Sequence, residues 1–239
     1  MTALVSGKRW FAWEPNTDTT AAVVTILIMA CGGYYLLVHL PEGSIVKHIF
    51  TVIFESLLVI FPVWWVVCHR KQSFRDLGIT RDKIVPSLAI SVVLTLIFLF
   101  FVFHLYSGDG SALIPHFLTN AIILWEPFFL FGWLQLRFDR AFGIIPGILL
   151  TGLCLGAYHI GTYPLAMVLI LAAYGIVFAA IYRITSNIFI MWPLTWSTAS
   201  AMGTLKGGFL FGWSDVALVS VVLAIQVGFM VYAWRKKGG

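Results

Sequence analysis

The side chains that could do chemistry here are few, and two stand out by where they lie. Glu126 sits inside an apolar run from Ala121 to Leu136. Hydrocarbon cannot solvate a carboxylate, so such a group must neutralise or find a partner, and it marks a functional site by default. The partner is expected to be His159, at the far end of the next apolar segment, the two facing each other across neighbouring helices because an unpaired buried charge is costly. Glu55 is the other acid within an apolar segment, with Asn120 and Gln226 as candidate partners. One histidine and one glutamate leave a tetrahedral zinc site short of ligands, so no metal is expected. His39, His69, His104 and His116 lie near the ends of apolar segments, where headgroup contact and titration account for them. No cofactor is expected; axial ligation of a pigment or haem by one of these histidines stays open.

The elements that must position Glu126 and His159 are membrane helices. Of 239 residues, 60% are hydrophobic and only 10% charged, and the mean hydropathy is +0.95. A soluble domain carries about 25% charged residues, so the composition describes a polytopic membrane protein. Eight apolar stretches are long enough, or nearly so, to span about 30 Å of hydrocarbon: approximately 21–40, 49–68, 84–105, 117–136, 142–160, 164–182, 188–205 and 216–234. Residues 1–20 read as a polar N-terminal segment with no cleavable signal, residues 21–234 as one membrane domain and residues 235–239 as a basic tail. Cys31, Cys68 and Cys154 are scattered and read as buried, inert thiols.

The net charge of +5 invites a nucleic-acid reading until the cations are placed. They flank apolar segments, which fits a bilayer surface and no nucleic acid. With the N-terminus in the cytoplasm, the inner side holds Lys8, Arg9, Arg70, Lys71, Arg75, Arg81, Lys83, Arg137, Arg140, Arg183, Arg235, Lys236 and Lys237. The outer side holds only Lys47 and Lys206, thirteen against two. An even number of spans follows, with Met1 and Gly239 both cytoplasmic and the chain in an inner (plasma) membrane. Trp10, Trp13, Trp213 and Trp234 lie near span ends, as an interfacial belt requires, while Trp64, Trp65, Trp125, Trp133, Trp192 and Trp196 are expected inside the bundle.

Around the fourth segment the chain resembles the CPBP family, the CAAX-protease and bacteriocin-processing membrane proteins. Glu126-Pro-Phe-Phe-Leu-Phe-Gly-Trp-Leu-Gln135 is similar to the family's E-E-x-x-x-R-G-[YW]-L-Q motif in its first glutamate and its G-W-L-Q tail. Leu155-Gly-Ala-Tyr-His159 is similar to F-x-x-x-H, with Leu for Phe. Phe178 to Asn187 resembles the lead-in to a third motif, H-x-x-x-N, and Phe74-Arg-Asp-Leu-Gly-Ile79 resembles the connector before the third helix. The resemblance covers about residues 74–200 and implies an all-α, eight-helix transmembrane bundle of CPBP type. It also implies that Glu126 acts as general base on a water with His159 as its partner.

Four positions depart from the pattern. Pro127 replaces the second glutamate and Phe131 the arginine, while Trp196 and Ser200 stand where the third motif places histidine and asparagine. The oxyanion side is therefore lost, and one missing donor in such a hole can cost about 10²–10³ in turnover. Ser197, Thr198 or Ser200 are the hydroxyls that would have to substitute. Pro127 also removes a backbone donor, and the carbonyl it strands is expected to turn to Asn120, Thr195 or water. The expected function is a pseudoenzyme: a catalytically weak or silent scaffold, assembly factor or subunit of a complex with other integral membrane proteins. The alternative is an atypical intramembrane endopeptidase using Glu126 and His159.

Overall fold

Asn16 and Thr19 close a reciprocal cap, Asn16 Oδ1 accepting from the Asp18 and Thr19 amides while its own amide donates to Thr19 Oγ1, and the first helix starts there. The computed structural model describes residues 9–41 and 43–238. Met1, Lys8 and Gly239 lie outside the described residues. The helices are α1 (Thr17–His39), α2 (Ile45–Val63), α3 (Ile84–Leu105), α4 (Leu113–Ile122), α5 (Trp125–Pro127), α6 (Leu136–Phe142), α7 (Ile144–Ala157), α8 (Leu165–Thr185), α9 (Thr195–Lys206) and α10 (Trp213–Gly238). The protein is an all-α membrane protein, and helix occupies most of each of the eight apolar stretches. Six helical runs among the described residues are long and apolar enough to cross a membrane, with Ile144–Ala157 a shorter apolar helix.

Two π-helical segments follow prolines. Trp64–His69 continues α2 two residues after Pro62, and Phe128–Gln135 begins at the residue after Pro127. A proline withdraws one donor from the i→i−4 ladder, and a wider turn is one way the backbone recovers its bonds.

The chain divides into two compact units, residues 1–40 with 130–184 and residues 41–129 with 185–239. In the first, the segment before α1 is strapped by main-chain bonds to the α6–α7 junction: the Ala12 and Glu14 amides donate to the Phe142 and Ala141 carbonyls, and the Ile144 and Ile145 amides to those of Arg9 and Trp10. Gly143 lies at the centre of this strap with φ 90° and ψ 174°, a backbone region essentially reserved for glycine. A Cβ there would come within 2.7 Å of the Phe11 Cα. Gly143→Ala should therefore cost about 2 kcal/mol, read as a lower thermal midpoint in detergent; an unchanged midpoint would show that the strap gives way freely.

The same unit closes α7 on α8 through glycines. A Cβ on Gly175 would sit 2.7 Å from the Gly152 Cα, and one on Gly156 would sit 2.9 Å from the Val168 carbonyl. Helix association in lipid depends on such close backbone approach, because lipid tails are as apolar as the side chains they replace.

The second unit packs α3 on α9, α10 on α2 and α4, and α4 on α9. Thr195 Oγ1 donates to Ser91 Oγ at 2.9 Å, tying α9 to α3. Asn187 donates from Nδ2 to the Thr80 and Asp82 carbonyls at 2.9 and 2.8 Å, and the Ile188 amide to the Gly78 carbonyl. Asn187, the last residue of the third-motif lead-in, thus holds the turn that follows the Phe74–Ile79 connector, and Ile188 holds the connector itself at Gly78.

His116 departs from its expected place. It is fully buried, its Nε2 3.0 Å from the Ala201 carbonyl and its Nδ1 accepting from the Phe211 amide. Both ring nitrogens serve the protein, so neither headgroup contact nor axial ligation describes it. Arg137 is also buried, stacked 4.5 Å over the Trp133 ring and donating to the Gly132 carbonyl, so it is not a headgroup-facing cation. Among the internal tryptophans, Trp133 and Trp196 are buried as expected, whereas Trp64 is exposed at 44%.

Candidate functional site

The expected span over 117–136 is not one continuous helix. α4 ends at Ile122, Ile123 is extended at φ −63° and ψ 97°, and helix resumes at Trp125. Pro127 is then the third residue of a new helical run, where its missing N–H is one of the orphan donors anyway. The expectation that it breaks an existing ladder is corrected on this point. Of the two side chains offered to a stranded carbonyl, Asn120 Nδ2 donates to its own helix at His116, and Thr195 is engaged by Ser91. The end of α4 is met by an indole. Trp192 Nε1 donates to the Ala121 carbonyl at 2.9 Å, capping the end of α4.

The break puts Glu126 in the first turn of a helical run, where the exposed amides and the helix dipole favour a carboxylate. Its side chain is buried, and Trp196 Nε1 donates to its Oε2 at 2.8 Å. The residue standing in for the family's third-motif histidine therefore hydrogen-bonds the family's first glutamate. An indole nitrogen donates but cannot accept or carry a proton away. It can hold Glu126 in place, but it cannot exchange protons with a substrate as an imidazole could.

Glu55 is partly buried on α2, which packs on α5, within electrostatic reach of Glu126 and Trp125. Of its expected partners, Gln226 does reach it, but at the backbone: Gln226 Nε2 donates to the Glu55 carbonyl at 2.9 Å. Sequence reading had no motif for Glu55 and so missed its place beside Glu126. The available signal was the scarcity of acids inside the apolar segments.

Two of the hydroxyls expected to replace the oxyanion donors, those of Ser197 and Thr198, are turned to backbone carbonyls of their own helix end. Ser197 Oγ donates to the Pro193 carbonyl, and Thr198 Oγ1 to those of Leu194 and Thr195. Ser200 contributes its backbone carbonyl as acceptor for Thr204 Oγ1. Phe131, at the arginine position, stacks on Tyr182 with ring centroids 5.5 Å apart. The G-W-L-Q tail is architectural: Trp133 Nε1 donates to Thr25 Oγ1 at 2.9 Å, and Gln135 Nε2 to the Ala179 carbonyl at 2.8 Å.

His159 belongs to the first unit and Glu126 to the second. It follows the end of α7, its Nδ1 2.8 Å from the Leu155 carbonyl and its ring beside Tyr158 and Tyr163. An Nδ1–H donated to that carbonyl leaves Nε2 as the basic nitrogen. Among the described residues, no three His, Cys, Asp or Glu side chains gather where they could hold a metal ion.

Residues 111–198 match the family model described as type II CAAX prenyl endopeptidase, Rce1-like. This stretch is therefore similar to the Rce1-like membrane endopeptidases, the family that the motifs around Glu126 resemble. The Rce1-like stretch includes Glu126, His159 and Trp196 and stops two residues short of Ser200; the Phe74–Ile79 connector lies outside it. No curated protein and no solved structure matches the chain.

Proposed function

We propose that this Rce1-like protein is a catalytically weak or silent member of its family, retained as a scaffold, assembly factor or subunit of a complex with other integral membrane proteins. In this reading it sits in the inner (plasma) membrane with both ends in the cytoplasm, as its cation distribution suggests. The observation that carries the reading is the Trp196–Glu126 hydrogen bond. The carboxylate that would activate water is engaged by a bulky group that cannot relay a proton. Pro127 and Phe131 add apolar surface where the family pattern has charge, and the Ser197 and Thr198 hydroxyls supply no oxyanion donor.

The competing reading, an endopeptidase using Glu126 and His159 on a water, draws on the Leu155 carbonyl beside His159 Nδ1, which would leave Nε2 basic. Glu126→Gln separates the two. The amide oxygen still accepts from Trp196, so the fold should persist while any base is lost. The expected result is no measurable cleavage of a peptide panel by either protein and equal recovery of co-purifying membrane proteins. Robust wild-type cleavage that vanishes in Glu126→Gln, with recovery unaffected, would establish the peptidase and defeat the scaffold.

A further inference from the structure

The second unit contains a groove of about 1330 Å³. At one part of its wall are Leu124 and Phe128, which flank the turn carrying Glu126, and at another are Val227 and Met230 of α10. The groove is overwhelmingly apolar, but Arg75, Arg81, Arg235 and Lys237 also line it, and among the described residues no acidic side chain does. Lys237 Nζ donates to the Gln72 carbonyl at 2.6 Å, so the α2–α3 connector and the end of α10 bring these cations together. Arg75 is paired with Asp82. Arg81 and Arg235 are exposed and, among the described residues, have no acidic partner.

Two uncompensated guanidinium groups at an apolar groove between membrane helices call for an amphiphile with an anionic head. The volume exceeds the roughly 300–1,000 Å³ of ordinary small-molecule pockets. A single narrow chain ending in one carboxylate would leave much of the groove, and one guanidinium, unused. We propose that the groove binds an anionic phospholipid, its phosphate held by Arg81 and Arg235 and an acyl chain laid along Leu124 and Phe128. The site is independent of whether Glu126 performs hydrolysis. It gives the helix break a lipid neighbour whose presence depends on the headgroup composition of the membrane.

Native mass spectrometry of the full chain, exchanged into detergent micelles doped with phosphatidylglycerol or phosphatidylcholine, tests this directly. Wild type should retain one phosphatidylglycerol in preference to phosphatidylcholine. Arg81→Gln/Arg235→Gln should weaken that retention about 30-fold, the attraction of two cations near a membrane surface. Met230→Trp keeps every cation but narrows the groove, and should weaken retention of the lipid as well. Each variant is read beside its thermal midpoint, so that loss of fold is not scored as loss of site. Equal retention of the two lipids, or unchanged retention in either folded variant, overturns the proposal. So does preference for a single-chain isoprenoid carboxylate over phosphatidylglycerol.

Discussion

Trp196→Ala should be among the most damaging single substitutions in the second unit, lowering stability by about 3–5 kcal/mol. Trp196 is 4% exposed, so truncation leaves a large cavity, and Glu126 Oε2 loses the donor that stands 2.8 Å away. The two contributions can be separated. Trp196→Phe keeps most of the ring volume and removes only the N–H, so it should cost about 1–3 kcal/mol, the range for depriving a buried polar group of its bond. Glu126→Gln, which keeps an acceptor, should cost less than Trp196→Phe. Thermal unfolding in detergent, followed by size-exclusion recovery, orders the three variants. If Trp196→Phe proves neutral, the indole is held by packing alone and the bond to Glu126 carries no stability. Trp196→His adds a functional arm: it restores the residue type of the family motif, and cleavage gained there but absent in wild type would show that the indole is what silences the site.

Gly175→Ala is the matching prediction for the first unit. The added carbon would stand 2.7 Å from the Gly152 Cα and 3.0 Å from its carbonyl oxygen, so no side-chain rotation relieves the clash. α7 and α8 must move apart, at a cost of about 2–3 kcal/mol. Gly228→Ala is the control, since nothing lies within 4 Å of a Cβ at that position on α10. A glycine-to-alanine change in an open helix position should be neutral or slightly stabilising. Equal thermal midpoints for the two variants would show that α7 and α8 yield without penalty.

The membrane helices were legible because their signal is compositional and local. Runs such as Ile84–Leu105 announce themselves over twenty residues, and the helix occupies the same bounds. The break at Ile123 was not legible, because Ile-Ile-Leu-Trp reads as continuous helix. What ends α4 there is partly an indole from Trp192, 71 residues further on. Trp196 was recognised as an anomaly at a histidine position, but its donation to Glu126 crosses 70 residues and is invisible to any local pattern. Arg137 illustrates a different failure. Counting cations between spans treats each as exposed, whereas its guanidinium found an aromatic face inside the protein. His116 was misplaced for a related reason: both ring nitrogens are engaged by segments that follow it by 85 and 95 residues.

The discontinuity of the second unit sets a timetable for its making. Residues 41–129 are synthesised first, residues 130–184 intervene, and only then does 185–239 appear. The polar groups of α2–α5 therefore reach the membrane before the chain that answers them exists. Glu126 waits 70 residues for Trp196, and the Glu55 backbone carbonyl waits 171 for Gln226. At roughly 5–20 residues per second, the first delay alone is about 4–14 s. A nascent chain arrested between Thr185 and Trp192 would carry its acid in hydrocarbon with neither indole in place, and such an intermediate is the form most exposed to quality-control proteases of the membrane.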